Sequence, residues 1–426
     1  MTDVATSVLA RTMRLDGLRP HEVADCLRHL PGLVFFDSAG HLPSSADRAV
    51  SVIAARPLRV LRGSIHDAED RASLKRALAD GHGAHGDSGF PAGGLCGWIG
   101  YEGEFIFGDY PEMLVFDHAN ESWWEMGRLS GELRKSRDTP FTIGDFQAST
   151  HREEFMRSVE RAKEWIAAGD IYQVNLAHSF EANISGGSLF PLYLALRESS
   201  PAPMAAWLAL DDHEILSSSP ETFLKISGRG IETKPIKGTR PRFHDPDEDR
   251  RSAYELQTSA KEIAELVMIT DLLRNDLGQV CEFGSVEVSE MLQLETLAQV
   301  HHLVSTVRGT LRAEIDAIDA LAACFPGGSI TGAPKKRAME IIRELENFPR
   351  GIYCGAVGWL GFNGESSFNI AIRTLVRNKE RLSYHVGAGI VADSDPEKEY
   401  EETLHKAAGI RAGLERCALN TRAGDA

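Results

Sequence analysis

The amino-acid sequence predicts an α+β fold. Strand-like and helix-like segments alternate, but without the regular rhythm that a parallel, doubly wound sheet requires. Two glycine patterns that would argue for such a sheet also fail. GAGIVA (387–392) mimics a dinucleotide-binding turn, yet DSDP follows and Pro396 marks a later helix start, whereas that turn needs its helix to open within the glycines. FPGGSITGAPKKRAME (325–340) has Gly327 and Gly332 at phosphate-loop spacing, but Ala333-Pro334 stands where that loop needs Lys-Ser/Thr. A glycine-rich turn entering a basic helix still offers backbone N–H groups and a positive helix end to some other anion.

The elements follow in chain order. Up to about residue 149, short apolar runs such as PGLVFFDSAG (31–40) and GGLCGWIGYEGEF (93–105) alternate with turn signals. SGELRKSRDTP (130–140) is polar and ends in proline, so it is the linker candidate between an N-terminal region, 1–140, and a larger region, 150–417. HREEFMRSVERAKEWIAAGD (151–170) reads as a helix, with Phe155, Val159, Ala162 and Ile166 on one stripe and Gly169 as its stop. IYQVNLAHSFEA (171–182) reads as a strand, and residues 213–239 as two or three short ones. A helix over 259–278 opens with Ser259 and Glu262 at capping-box spacing and ends at Gly278. Another covers 334–346, with Pro334 in its first turn. GIYCGAVGWLGF, SSFNIAIRTLV and RLSYHVGAGIV read as strands, and residues 395–417 as one final helix.

Composition narrows the function. The 426 residues suffice for one large domain or two to three ordinary ones; 42% are hydrophobic and 25% charged, as in a globular protein. Lys+Arg number 46 against 62 Asp+Glu, a formal charge of −16 that opposes binding to nucleic acid or an anionic membrane. A small anionic substrate in a basic pocket is still allowed. No apolar run approaches the ~18 residues of a membrane span, and the start lacks the pattern of a secretory signal. The six cysteines are scattered, without a C-x-x-C, so reduced thiols and a cytoplasmic location are expected. Cys96, flanked by glycine in GLCGW, reads as a buried strand residue.

Three groups of residues could carry chemistry. In KPIKGTRPR (234–242), Lys237 lies between Pro235, which presets φ, and Gly238, which permits conformations other residues avoid. A held amine is either a nucleophile or a solvated turn lysine. Glu399, Glu402 and Lys406 fall on one helix face at i, i+3 and i+7, and Glu262 and Glu265 make a second pair. Two such faces either converge on a hard cation such as Mg²⁺ or remain solvated. Gly387 and Gly389, after a strand, suit close approach of backbone amides to a small anion.

Several ordered strings resemble the chorismate-utilising enzymes, a family that includes anthranilate, aminodeoxychorismate, isochorismate and salicylate synthases. They are GDIYQVNL, SSSPETFL, PIKGTRPR, AELVMITDLLRNDLG, VHHLVSTV, FPGGSITGAPK, RGIYCGAVG, NIAIRTL and GAGIVADSDPEKEYEETLHKA. The resemblance is strong over about 151–415 and weaker before, through FFDSAG and GGLCGWIGYE. It implies stacked antiparallel sheets flanked by helices, with a deep central cleft in a chorismate-binding catalytic domain.

The resemblance also implies roles. Glu265, Glu399 and Glu402 match acids that bind Mg²⁺, shared with a substrate carboxylate. Arg373 and Tyr353 match residues that grip a carboxylate of chorismate. The amides around Gly387 and Gly389, and Lys406, match further anion contacts, while His302 and Thr331 match residues near the ring. Glu221 matches a general acid for the departing C4 hydroxyl, which requires a raised pKa because hydroxide leaves poorly. Water-adding members carry a lysine at the position of Gln173. PIKGT, with Lys237 and Thr239, resembles the aminodeoxychorismate branch, whereas anthranilate synthases read PIAGT. Lys237 would then attack C2 of chorismate, and ammonia would add at C4 and expel it. Its amine must be neutral to do so, which desolvation or nearby cations would favour over an ordinary lysine near ~10.4.

The expected reaction is amination of chorismate to 4-amino-4-deoxychorismate, on the route to 4-aminobenzoate and folate. The alternatives are anthranilate formation and a non-catalytic ligand-binding relative. No glutaminase elbow is visible, so ammonia is expected from a separate glutamine amidotransferase subunit. Two departures stand out: Ser367 replaces the aspartate usual six residues before Arg373, and SPAPMAAWL keeps only part of the family's tryptophan-pocket motif.

Overall fold

The computed structural model describes residues 9–38, 49–81, 89–297 and 300–424. Ala39 and Gly40 of FFDSAG, and the first eight residues, lie outside the described residues. Two antiparallel sheets stack face to face, one of thirteen strands and one of ten. In the larger sheet, strands Met113–Asp117, Val50–Ala54 and Val34–Asp37 run into Met204–Leu210, His213–Ser219, Thr374–Asn378, Arg381–Ile390 and Gln173–Gly186. In the smaller, Gly94–Ile99 and Glu104–Tyr110 join Ala356–Gly361, Glu365–Ile370, Thr222–Ser227, Gly230–Lys234, Val300–Thr310 and Ile236–Pro241. Strands from before and after residue 140 therefore share both sheets.

Strand periodicity builds the layers. Val34, Phe36, Val52 and Ala54 meet Cys96, Trp98, Val357 and Trp359 of the other sheet, as the reading of Cys96 expects. The alternate residues Phe35 and Ile53 turn to the outer face, under helices Pro20–Leu27 and Phe190–Ser199. Helices Arg152–Ala168 and Lys335–Leu345 cover a second apolar cluster with Phe155, Val159, Ala338 and Ile341. Among the described residues no helix is long and apolar enough to cross a membrane.

Most expected elements form, and four differ instructively. Residues 213–239 make four strands. A polar helix, Pro246–Thr258, was not expected; the Asp245 side chain accepts from the N–H groups of Asp247 and Glu248 at its start. The final helix breaks at Ala407 into Pro396–Lys406 and Ala408–Gly424. The second piece packs closely on Phe190–Ser199, since a Cβ at Gly413 would lie 3.0 Å from the Leu196 Cα. Most consequentially, SSFNIAIRTLV is not one strand: Glu365–Ile370 lies in the smaller sheet, Thr374–Asn378 in the larger, and Ala371–Arg373 carries the chain between them. Arg373 has φ +49°, outside any strand conformation.

Candidate active site

A second crossing lies beside the first. His213–Ser219 belongs to the larger sheet and Thr222–Ser227 to the smaller, with Pro220 and Glu221 between. The two crossings are tied together. Ile370 N–H donates to the Glu221 carbonyl (3.0 Å), Ser218 N–H to the Arg373 carbonyl (3.1 Å) and Ser219 Oγ to the Ile370 carbonyl (2.6 Å). Where the ladders end, a cleft of about 490 Å³ opens, and it is lined by both Glu221 and Arg373.

Glu221 is buried, which pushes its carboxyl up to about 7; Ser329, the Lys237 charge and the Ile236 N–H oppose the shift. Lys237 faces the same cleft from strand Ile236–Pro241. Gly238, at φ +71°, makes a bulge against Val300–Thr310 between Lys237 and Thr239. The backbone constraint seen in KPIKGTRPR is thus a device that aims Lys237 and Thr239 separately. Lys237 Nζ lies 3.7 Å from Glu265 Oε2. Of the neighbouring cations, Lys234 pairs with Glu295 and Arg242 with Asp249, while Arg240 lines the cleft.

His302 is buried, and burial followed by the Arg373 charge pulls its pKa down to about 4. Its Nδ1 lies 3.3 Å from the Gly238 carbonyl, which can only accept, and 3.0 Å from Thr239 Oγ1. The proton therefore sits on Nδ1, and Nε2 is a buried acceptor without a partner among the described residues. Arg373 is held below its usual range by burial alone. Among the described residues no carboxylate lies within ion-pair distance of it, a costly state that an anionic ligand relieves.

The glycine strand completes this wall. Arg381–Ile390 pairs with Gln173–Gly186, placing Gly387 opposite Ala177 and Gly389 opposite Asn175. Ala177 N–H donates instead to Glu346 and Asn175 N–H to the Thr331 carbonyl, so both are non-bonded positions of the ladder. The N–H groups of Gly387 and Gly389 consequently turn away from that ladder. Strand Thr374–Asn378 covers the other edge only as far as Tyr384. Lys406 Nζ donates to the Gly387 carbonyl from that open side (3.0 Å). A Cβ at Gly387 would lie 2.7 Å from the Leu176 carbonyl oxygen and 2.9 Å from the Tyr353 hydroxyl, so no side chain fits there, while one at Gly389 would lie 2.5 Å from Gln173 Nε2 and would have to push that amide aside.

The opposite wall carries carboxylates. Glu262 and Glu265 project from helix Ala260–Gly278, and Glu402 from Pro396–Lys406. The Ser259 hydroxyl accepts from Glu262 N–H as its spacing predicts, but the Glu262 side chain lines the cleft. Glu399 sits behind this lining, bonded to Ser394 Oγ (2.7 Å). Thr331 is also behind, its hydroxyl donating to the carbonyls of Gly327 and Gly328. Gln173 is fully buried, with both amide atoms unpartnered among the described residues. The other residues expected at the site, Lys237, Glu221, Arg373, Tyr353, His302, Gly387, Gly389, Lys406, Thr239, Glu265 and Glu402, all line one cleft. Lys261, Ser329, Asn175 and His385 line it without having been expected.

A family model for chorismate binding enzymes matches residues 98–412. The chain belongs to the chorismate-binding enzymes. It is 40% identical to aminodeoxychorismate synthase component 1 of Bacillus subtilis over 335 residues, 74% of this chain and 71% of the relative. It is 39% identical to anthranilate synthase component 1 of Methanothermobacter thermautotrophicus over 346 residues, 76% and 74% of the two chains. The structure of anthranilate synthase component I from Streptococcus pneumoniae superposes with a TM-score of 0.75 at 28% identity, covering 87% of this chain and 94% of that one. This chorismate-binding enzyme has the stacked-sheet α+β fold that its motifs imply, and it uses chorismate; the product differs between its relatives.

Proposed function

We propose that the chain aminates chorismate with ammonia to 4-amino-4-deoxychorismate. The observation that carries this reading is Lys237 on the same cleft as a buried Glu221 whose carboxyl keeps its proton to about pH 7. Arg373 and the N–H groups of Gly387 and Gly389 hold the substrate carboxylates. The Lys237 amine bonds to C2, the two conjugated ring double bonds shift round the ring toward C4, and the C4 hydroxyl leaves as water with the Glu221 proton. Ammonia bonds to C4, the electrons return, and the lysine leaves C2 as a free amine. The surplus proton restores Glu221. Two displacements put nitrogen at C4 and leave the enzyme unchanged.

A divalent cation fits the acidic wall by donor chemistry. Glu262, Glu265, Glu399 and Glu402 all bear on one ammonium, that of Lys261, which already stands among them as a cation. Among the described residues, however, no three metal-binding side chains are assembled around one point. Glu265, Glu399 and Glu402 would hold Mg²⁺, which supplies positive charge for a substrate carboxylate. The ammonia comes from a separate glutaminase subunit, in keeping with a relative named as a component 1, and the cytoplasm is the proposed location. Anthranilate is the second product to consider, because anthranilate synthases match nearly as well. Chromatography of the product from chorismate, Mg²⁺ and ammonium tests the reading: 4-amino-4-deoxychorismate supports it, and anthranilate with pyruvate overturns it.

A further inference from the structure

Lys261 has no part in the chemistry above, yet it stands at the centre of the acidic wall. Its Nζ is 4.0 Å from Glu265 Oε1, four residues along the same helix, and 3.9 Å from Glu399 Oε1 on another helix. These carboxylates are far less exposed than the lysine, whose side chain keeps 45% of its surface open to solvent. Four acidic side chains packed this closely repel one another, and two of them belong to each of two separate helices. Lys406 bonds to Glu402 and Lys237 approaches Glu265, but Glu399 has no other cation within ion-pair distance among the described residues. The long, half-solvated stem of Lys261 can withdraw to water without unpacking either helix.

We propose that Lys261 is the resident counter-ion of this wall, holding the two acidic helices together in the metal-free chain and competing with a divalent cation for the same oxygens. The inference rests on the reading of this wall as a cation site. Binding of the divalent ion then displaces the ammonium outward, and the cleft changes its cation rather than filling an empty hole. The exchange lowers apparent metal affinity and keeps the carboxylates assembled between turnovers.

The test uses the full chain, Mg²⁺ alone, and two variants, Lys261→Met and Lys261→Gln. Calorimetry should show Mg²⁺ binding roughly three- to ten-fold tighter in both variants, the size expected of one or two partly exposed ion pairs. The melting temperature without metal should fall in both, and Mg²⁺ should raise it by more than in the wild type. Lys261→Arg, which keeps the charge, should resemble the wild type without metal. Unchanged or weaker Mg²⁺ binding in variants that fold normally overturns the competition. An unchanged metal-free melting temperature overturns the counter-ion role. A wild-type chain without saturable Mg²⁺ binding overturns the cation-site reading, and the competition with it, while the metal-free melting temperature still judges the counter-ion role separately.

Discussion

The two walls of the cleft solve opposite electrostatic problems. On one, among the described residues, Arg373 lacks a carboxylate partner and His302 Nε2 is a bare acceptor, and the glycine strand turns its amides outward. On the other, three of the four carboxylates have an ammonium within ion-pair distance: Lys261 for Glu265 and Glu399, Lys237 for Glu265, and Lys406 for Glu402. The first wall is built for a guest and carries the cost of waiting for it. The second is largely neutralised from within, and in the reading proposed here it exchanges that cation for a divalent one. A change on the first wall should therefore act on substrate and rate, and a change on the second on metal.

The largest expected effect sharpens the first half of that contrast. Glu221→Gln cannot give up a proton, so turnover should fall by roughly 10²–10⁴-fold with chorismate still bound. The wild-type kcat should decline above about pH 7 as Glu221 loses its proton, and the variant should lose that limb. The stability change has a definite sign. The folded pKa is raised from 4.5, so the native chain holds this proton more tightly than the unfolded chain, and stability falls as pH rises through the interval up to about 7. Above it, Glu221→Gln should melt higher than the wild type. Near-normal turnover in the variant would move the acid elsewhere.

Arg373→Met comes next. A charged hydrogen bond to a carboxylate contributes about 1.5–3 kcal/mol, so KM for chorismate should rise roughly ten- to a hundred-fold. Removing a half-buried cation that has no carboxylate partner among the described residues should at the same time raise the melting temperature of the ligand-free chain slightly. A variant that loses stability and keeps its KM would show that Arg373 is structural.

The smallest effect belongs to the acidic wall. Glu402→Gln keeps volume and removes one anionic oxygen donor, and half-saturation of activity by Mg²⁺ should move up by about tenfold, with kcat recovered at high metal. If the Mg²⁺ titration is unchanged while chorismate binding weakens, Glu402 belongs functionally to the other wall and the contrast fails.

Much of this site was legible in the sequence because its motifs are local: PIKGT announces a held lysine, GAGIV an approachable strand, and EYEETLHK a one-sided helix. What stayed hidden depends on tertiary placement. SSFNIAIRTLV carries β-branched residues and no breaker, so nothing in it announces the crossing that throws Arg373 into the cleft; partners in two different sheets impose it. The helix Pro246–Thr258 buries only Ser252 and Leu256, too thin a stripe to read, although Asp245-Pro246 was a usable start signal. Lys261 looks like any surface lysine at i, i+4 from a glutamate until Glu399 arrives from a helix more than a hundred residues later. Asn175 follows Gln173 at strand period and was open to the same reasoning.

The central claim is that Lys237 bonds to the substrate. Intact-protein mass spectrometry of the chain quenched after mixing with chorismate and Mg²⁺, without ammonia, tests it most directly. The wild type should gain the mass of chorismate less water on the peptide that holds Lys237, and Lys237→Ala should gain nothing. An unmodified wild type at every mixing time, together with 4-amino-4-deoxychorismate made at full rate by Lys237→Ala, would contradict the covalent account and leave KPIKGTRPR as a basic turn on the rim of the cleft.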